Sequence, residues 1–393
     1  MNKMKFLCCG TLLCIAVAAS SYSCKKATKD PVAVSDDGGS AVVNKKAVNA
    51  AVNYYIKHGG IANHSDASIT GSIAWYIASY SSGATAASPS IFYLTSDTPY
   101  VCSNSIIMQA NTRIDESGKQ AVIECNNSSW SSTAPNQEFV RLVQGCRLLN
   151  IEVRCNFKPK TGVMIKGNNT QIIGATIHKS SRTINKSYTV FVEDSRNVQI
   201  ENCLIRRSGC ESNEQDFERI GYLIYLNHGS DIQILNNDIA ISPSSGIGFN
   251  TTDSLTIAYN LIHDTGRAIK AGYISDGITS YHNGETPNRY VLIKENTIWD
   301  SRNHGVHVSG NGFRIEGNII YNSGLSTAAS NISLADHKTP YDCSKNCTIK
   351  NNSLTNCPAL SGASIKRDHY QASSVVVSGN TGCTTTFLGA TCL

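Results

Sequence analysis

The sequence predicts an all-β solenoid, a single-domain right-handed parallel β-helix with an N-terminal capping helix. Three observations lead there. An imperfect Ile-x-x-Asn-x-Ile unit recurs from the middle of the 393-residue chain to its end, turn residues separate the copies, and a second short apolar strand precedes most of them.

Aligned on its first apolar residue, the unit runs through Leu148, Ile172, Ile200, Ile234, Ile257, Ile293, Ile315, Ile349 and Val377. Three residues on stand Ile151, Ala175, Cys203, Asn237, Asn260, Asn296, Asn318, Asn352 and Asn380, and two further come Val153, Ile177, Ile205, Ile239, Ile262, Ile298, Ile320 and Leu354. A period-2 strand pattern is thus broken at one fixed point, which must be a bend. Asparagine suits a bend because it tolerates left-handed backbone angles and can bond the same bend in the next coil. The strand preceding each unit, as in Thr161–Gly167 or Tyr222–Gly229, adds a further face to every coil without a helical crossover. One coil cannot bury its own apolar face, so stacking must stabilise the fold. The shortest repeats, Ile293 to Ile315 and Ile234 to Ile257, set the minimal coil, and longer ones place insertions near 206–221, 273–289 and 335–346.

The ends are organised differently. Residues 1–24 carry Lys3 and Lys5, an apolar stretch from Phe6 to Ala19, and small residues before Cys24. This segment resembles a bacterial lipoprotein signal, which implies a lipid anchor at Cys24; Ser21 stands where that family usually has leucine, so plain secretory cleavage is the alternative. The protein is therefore expected to be exported, as an outer-membrane lipoprotein facing the periplasm or the cell surface, or secreted. Residues 25–46 are polar and without periodicity, as a tether would be. Two weak helical patterns follow, at 47–56 and 72–83, and the second leads into an apolar stretch through Tyr100 and Ile106. That arrangement resembles the entry coil of the pectate-lyase-like superfamily, which implies a cap and the first coils over residues 47–130 and β-helix repeats over 131–393. A cap is physically required because an open end exposes strand edges and apolar core.

The formal net charge of +5, falling to +3 once Lys3 and Lys5 leave with the signal, is mild. The chain has no long basic run or arginine-rich face, so no nucleic-acid partner is expected. Eleven of the fifteen cysteines lie beyond Cys24. Export would permit disulfides, with Cys343–Cys347 and Cys383–Cys392 as candidate pairs, whereas Cys203 in the ladder reads as a small buried residue.

Side chains alternate in and out along a strand, and equivalent positions line up on successive coils. With Val163, Val190, Ile224, Ile247, Ile269, Val306, Ile332 and Ile365 pointing inward, the outward face of the central coils gathers Arg267, Lys270, His304, His307, Tyr222 and Tyr225, with Phe191, Asn227 and Asn250 beside them. Lys270 and His307 should then be neighbours, and Gly248 should leave room for a sugar ring. The composition fits β-elimination on a uronic-acid polymer: Arg267 neutralises the carboxylate, Lys270 or His307 removes the C5 proton, Tyr225 protonates the leaving oxygen, and the other residues hold substrate. Ordinary surface polarity on an outer sheet is the competing explanation.

Asp264 and Asp300 occupy equivalent positions after the last strand of adjacent coils. They could bind calcium or act as the carboxylate pair of a hydrolase, although Asp-Thr and Asp-Ser here also read simply as turns. The resemblance to pectate lyases and polygalacturonases covers most of residues 80–393 and rests on the repeat. Of the polygalacturonase motifs only Asn303-His304-Gly305 and Arg267-Ala268-Ile269-Lys270 have a loose likeness, and the aspartates of that mechanism are missing from them. The leading expectation is a monomeric polysaccharide lyase acting on an acidic glycan, without an organic cofactor and with calcium as a candidate ion. A β-helix glycoside hydrolase using the paired aspartates and a non-catalytic glycan-binding lipoprotein are the alternatives.

Overall fold

The computed structural model describes residues 51–118, 120–127, 130, 137–181, 187–208, 221–266, 275–281, 287–324, 330–334, 344–356, 365–367 and 374–382. The signal and the tether lie outside this set, as do Cys343, Cys383 and Cys392 of the candidate disulfides. Strands pair in parallel from coil to coil in three columns. The first two share continuous strands such as Gly221–Leu235 and Ile247–Ala258, and the third forms a separate eleven-stranded sheet among the described residues.

The middle column places Leu148, Ile172, Ile200, Ile234, Ile257, Ile293, Ile315, Ile349 and Val377 in one register, as the repeat predicts. The third column does the same for Val153, Ile177, Ile205, Ile239, Ile262, Ile298, Ile320 and Leu354. From Leu148 to Ile349 and from Val153 to Leu354 these side chains are fully buried, and each contributes roughly 1.5–3 kcal/mol of transfer free energy.

The bend differs from the expectation by one residue. Left-handed backbone falls on Asn150, Gly174, Asn202, Asn236, Tyr259, Glu295, Gly317, Asn351 and Gly379, each immediately before the ladder position. The ladder asparagines turn inward instead and bond along the stack. Asn260 donates its backbone N–H and its Nδ2 to Asn296 Oδ1 at 3.0 and 2.9 Å, and Asn296 does the same to Asn318 Oδ1 at 2.9 and 3.0 Å. Each Nδ2 also caps a strand carbonyl, that of Ile257 in the case of Asn296 at 2.9 Å. Asparagine suits this place because its short side chain offers a carbonyl to the coil on one side and an amide to the other.

At the N-terminal end the helical pattern over 72–83 becomes the helix Ile73–Tyr80, capped by Ser72, whose hydroxyl accepts from Trp75 N at 3.0 Å. The pattern over 47–56 does not become a helix. Val52–Ile56 is a strand that pairs in parallel with Ser90–Leu94 and extends the stack, because β-branched and aromatic residues there favour the pleated edge over a short isolated turn. Cys102, Cys125, Cys146, Cys155 and Cys203 are buried free thiols.

His64 is wholly buried in this cap, its ring 4.8 Å from that of Tyr100, and neither ring nitrogen has a well-formed hydrogen bond among the described residues. Burial, with the nearby His58, lowers its pKa to about 4. A depressed histidine favours the folded state only while neutral, so stability should decline as pH falls from about 6.5, the unfolded value, towards 4. The loss should reach roughly 2–3 kcal/mol. Urea melts at successive pH values would show this slope, and His64→Phe should flatten it.

Candidate functional site

The first column carries the outer face on which the candidate residues fall. Its inward positions are Val163, Val190, Ile224, Ile247, Ile278, Val306, Ile332 and Ile365. Ile278 replaces the expected Ile269, because the strand of that coil is Ile278–Tyr281. The neighbour of His307 is therefore Thr279, where Lys270 was expected. Two residues before the inward position, where Arg267 was expected, the chain places Asp276. Arg267 and Lys270 themselves lie outside the described residues.

Gly246, Gly277 and Gly305 precede the inward residues Ile247, Ile278 and Val306, and the backbone there approaches the third column closely. A Cβ on Gly277 would come 2.6 Å from Ile298 Cγ2 and 2.6 Å from the Gly305 carbonyl oxygen, and one on Gly305 would come 2.4 Å from Ile320 Cγ2.

One half of the face is aromatic. Tyr188 stacks on Phe191 at 4.8 Å and on Tyr225 at 5.3 Å, and Tyr222 lies 5.0 Å from Tyr225. Tyr188 belongs to the group although the sequence reading did not select it. The space over Gly248 is filled rather than open: a Cβ there would meet Tyr225 Cδ2 at 2.8 Å and Tyr222 Cδ1 at 2.9 Å. Burial raises the pKa of Tyr225, so its phenol stays protonated. Asn250 is fully buried and donates to Asn227 Oδ1 at 3.3 Å at the end of the same strands.

The other half is polar and converges on Asp276. This carboxylate is fully buried; its Oδ1 accepts from Asn303 Nδ2 and from His304 N, both at 2.9 Å. Its Oδ2 lies 3.4 Å from His307 Nδ1. Burial pushes the Asp276 pKa up, but the contacts with His307 and His304 outweigh it and hold the group below the usual carboxylate range. His304 is buried, its ring 4.8 Å from that of His307, and Ser330 surrounds its Nδ1 with an N–H at 2.9 Å, a hydroxyl oxygen at 3.1 Å and a carbonyl oxygen at 3.2 Å. Donor and acceptors together can satisfy either tautomer. His307 keeps 14% of its side-chain surface exposed, enough to meet a ligand.

Asp276, His304 and His307 can bring ligand atoms within 4.8 Å of one another, the group among the described residues with the spacing to take a metal ion. The position of His307 Nδ1 against a buried ionised carboxylate is equally that of an acid–base dyad, with imidazolium as the counter-charge. Asp276 escaped the sequence reading, although Asp276-Gly277-Ile278 repeats the Gly-Ile/Val step of Ser245-Gly246-Ile247 and His304-Gly305-Val306.

Asp264 and Asp300 sit elsewhere, at the end of the third column, with φ of 55° and 52°. Arg207, Ile241, Asn322 and Asn356 are left-handed at the same place in other coils, which supports the turn reading. Asp264 Oδ2 lies 2.8 Å from His263 Nδ1, and His263 Nε2 lies 3.3 Å from Asp238 Oδ1. Burial opposes charge on His263, yet the two carboxylates raise its pKa.

The family model for the right handed beta helix region matches residues 121–289. Among solved structures, the Dettilon tailspike protein is similar with a TM-score of 0.59 at 13% identity, covering 86% of this chain and 68% of that one. The A-module of the Azotobacter vinelandii mannuronan C-5 epimerase gives 0.57 at 14% identity, over 86% of this chain and all of that one (100%). This protein is a right-handed parallel β-helix. A Streptococcus pneumoniae surface adhesin shares the β-helix architecture with a TM-score of 0.53 at 14% identity, covering 86% of this chain and 91% of the adhesin. No curated protein matches the β-helix in sequence. At such identities the likeness speaks to the fold, and the function of this β-helix has to be argued from its own groove.

Proposed function

We propose that this β-helix is an exported polysaccharide lyase that cleaves a uronic-acid-containing glycan by β-elimination in the groove of the first column. The observation that carries the reading is the partly exposed His307 against the fully buried, ionised Asp276, at the end of a face that begins in tyrosines. A buried carboxylate fixes the imidazole and stabilises its protonated form, so His307 is assigned as the base that takes the C5 proton. The electron pair of that bond forms the C4–C5 double bond, the C4–O4 bond breaks, and O4 leaves with a proton supplied by His304.

Tyr225 is reassigned. It stands three strands from His307 in the column, about 14 Å at the usual strand spacing, too far to protonate a leaving group beside that base. With Phe191, Tyr222 and Tyr188 it makes a platform for sugar rings further along the polymer. Support for uronate chemistry also comes from the Azotobacter epimerase, a β-helix protein whose reaction is at C-5 of mannuronan. The export signal and the Cys24 anchor are part of the same proposal.

The test is ultraviolet absorbance of the unsaturated uronyl product, with purified protein on a panel of acidic polysaccharides, with and without calcium. A signal that disappears in His307→Ala is the expected result. Reducing sugar released without that chromophore would point to hydrolysis, and no product of either kind would leave the groove a binding surface.

A further inference from the structure

The third column presents a second face with the composition of a ligand site. Arg154, His178 and Arg206 follow one another on adjacent strands, and beyond Ala240 the same column continues into the rings of His263, Trp299 and Tyr321. His263 stacks on Trp299 at 4.1 Å with 6° between the planes, and Trp299 on Tyr321 at 5.8 Å with 1°. Lys179 and Arg207, one residue beyond the cationic strands, join them in lining a cleft of about 600 Å³.

We propose that this cleft binds a stretch of anionic, carboxylate-bearing glycan, separately from the groove of the first column. Lys179 and Arg207 carry the argument. They take left-handed backbone, with φ of 63° and 60°, at the position where later coils place Ile241, Asp264, Asp300, Asn322 and Asn356. Asparagine and aspartate accept that conformation readily, whereas lysine and arginine adopt it at a cost in strain. Three coils depart from the favourable residue at this place: the two whose turn lines the cleft bring a cation, and Ile241, outside that lining, does not.

The surrounding ion pairs serve the same end. Glu124 and Glu152 hold Arg154 at 2.9 and 2.8 Å, and Asp238 holds Arg206 at 2.5 Å, which fixes both guanidinium groups along the cleft wall. Four lysines and arginines line the cleft against two glutamates, and Asp238 on Arg206 is a third carboxylate, which leaves a balance of one positive charge. Lys179 and Arg207 on adjacent coils about 4.8 Å apart, Arg154 and Arg206 on either side of a His178 whose pKa burial lowers, and aromatic rings further along the same line suit a linear chain of charged sugars lying parallel to the stack. The inference rests on the proposed function only for the class of polymer.

The experiment is calorimetric titration at low salt with oligogalacturonate and with alginate oligomers, comparing the parent protein with the double variant Lys179→Asn, Arg207→Asn. Asparagine already stands at this turn in other coils, so the variant should melt no lower than the parent. Its affinity for one of the two oligomers should fall roughly tenfold, the scale of losing two partly exposed charge contacts. Equal binding by variant and parent would overturn the proposal, as would absence of binding by the parent. Product formation is scored independently: binding that depends on Lys179 and Arg207 without unsaturated product would sink the lyase reading and leave this site intact.

Discussion

Replacing Asn296 with alanine is expected to destabilise the central coils by roughly 3–5 kcal/mol. The side chain makes four hydrogen bonds: Oδ1 accepts from the backbone N–H and the Nδ2 of Asn260, and Nδ2 donates to Ile257 O and Asn318 Oδ1. Asn260 and Asn296 are both buried, so alanine would leave the Asn260 N–H without a partner and without water. An orphaned buried donor or acceptor costs about 1–3 kcal/mol, and more than one is created here. Coils in a solenoid touch only their neighbours, so the loss should be concentrated near the substitution. Hydrogen exchange should accelerate most in the strands around Ile257, Ile293 and Ile315, with a lower thermal midpoint for the whole protein. Asn356→Ala provides the contrast. Asn356 also bonds its counterpart on the adjacent coil, Asn322 Oδ1 at 2.8 Å, but that pair is exposed and water can replace it. A change within about 0.5 kcal/mol is expected there. Equal effects at Asn296 and Asn356 would remove burial as the source of the ladder's strength.

The same contrast explains what could be read from the sequence. Inward positions of the middle and third columns were legible because isoleucine and valine recur there at a fixed offset from the asparagine. A slip of one residue would turn every one of them to solvent. The bend was legible as a bend, but its left-handed residue was not, because Asn236 and Asn237 are both asparagines and only the backbone tells which one turns. In the first column the inward residue was misassigned in one coil, at Ile269 in place of Ile278. Arg267-Ala268-Ile269-Lys270 imitates an alternating strand, and the apolar pattern alone does not separate the two. A glycine before the inward residue, as at Gly246, Gly277 and Gly305, is no rule either, because Thr189, Leu223 and Asn331 stand at that place in other coils. That single shift exchanged an expected Arg–Lys pair for Asp276 and Thr279, and with it the electrostatic character of the groove. The cap shows another limit. Residues 47–56 carry a weak helical pattern, yet an open strand edge at Ser90–Leu94 recruits Val52–Ile56, and tertiary pairing overrides local propensity.

Asp276→Asn is expected to lower turnover by roughly 10²- to 10⁴-fold while leaving the coil folded, if His307 is the base. The substitution is nearly isosteric. An amide oxygen can still accept from Asn303 Nδ2 and His304 N, the two 2.9 Å bonds that seat Oδ1, so the neighbouring turn should keep its place. What disappears is the negative charge 3.4 Å from His307 Nδ1. Without it, protonated imidazole loses its stabilising partner, and the amide NH₂ now facing that nitrogen favours the wrong tautomer for proton abstraction. The acid limb of the pH–rate profile should therefore move to lower pH, since a nearby carboxylate favours the protonated base. The sign for stability follows from the depressed pKa of Asp276 itself. A carboxylate that is more acidic folded than unfolded stabilises the protein above its unfolded pKa near 4, and that stabilisation fades as pH falls through the folded value. Asp276→Asn should remove this acid-dependent part of the stability curve. His307→Ala should abolish turnover and leave no acid limb to shift, which separates the base from the group that positions it. If Asp276→Asn instead changed KM alone and left the pH profile in place, Asp276 would be a structural anchor of the turn and the base would have to be sought elsewhere in the groove.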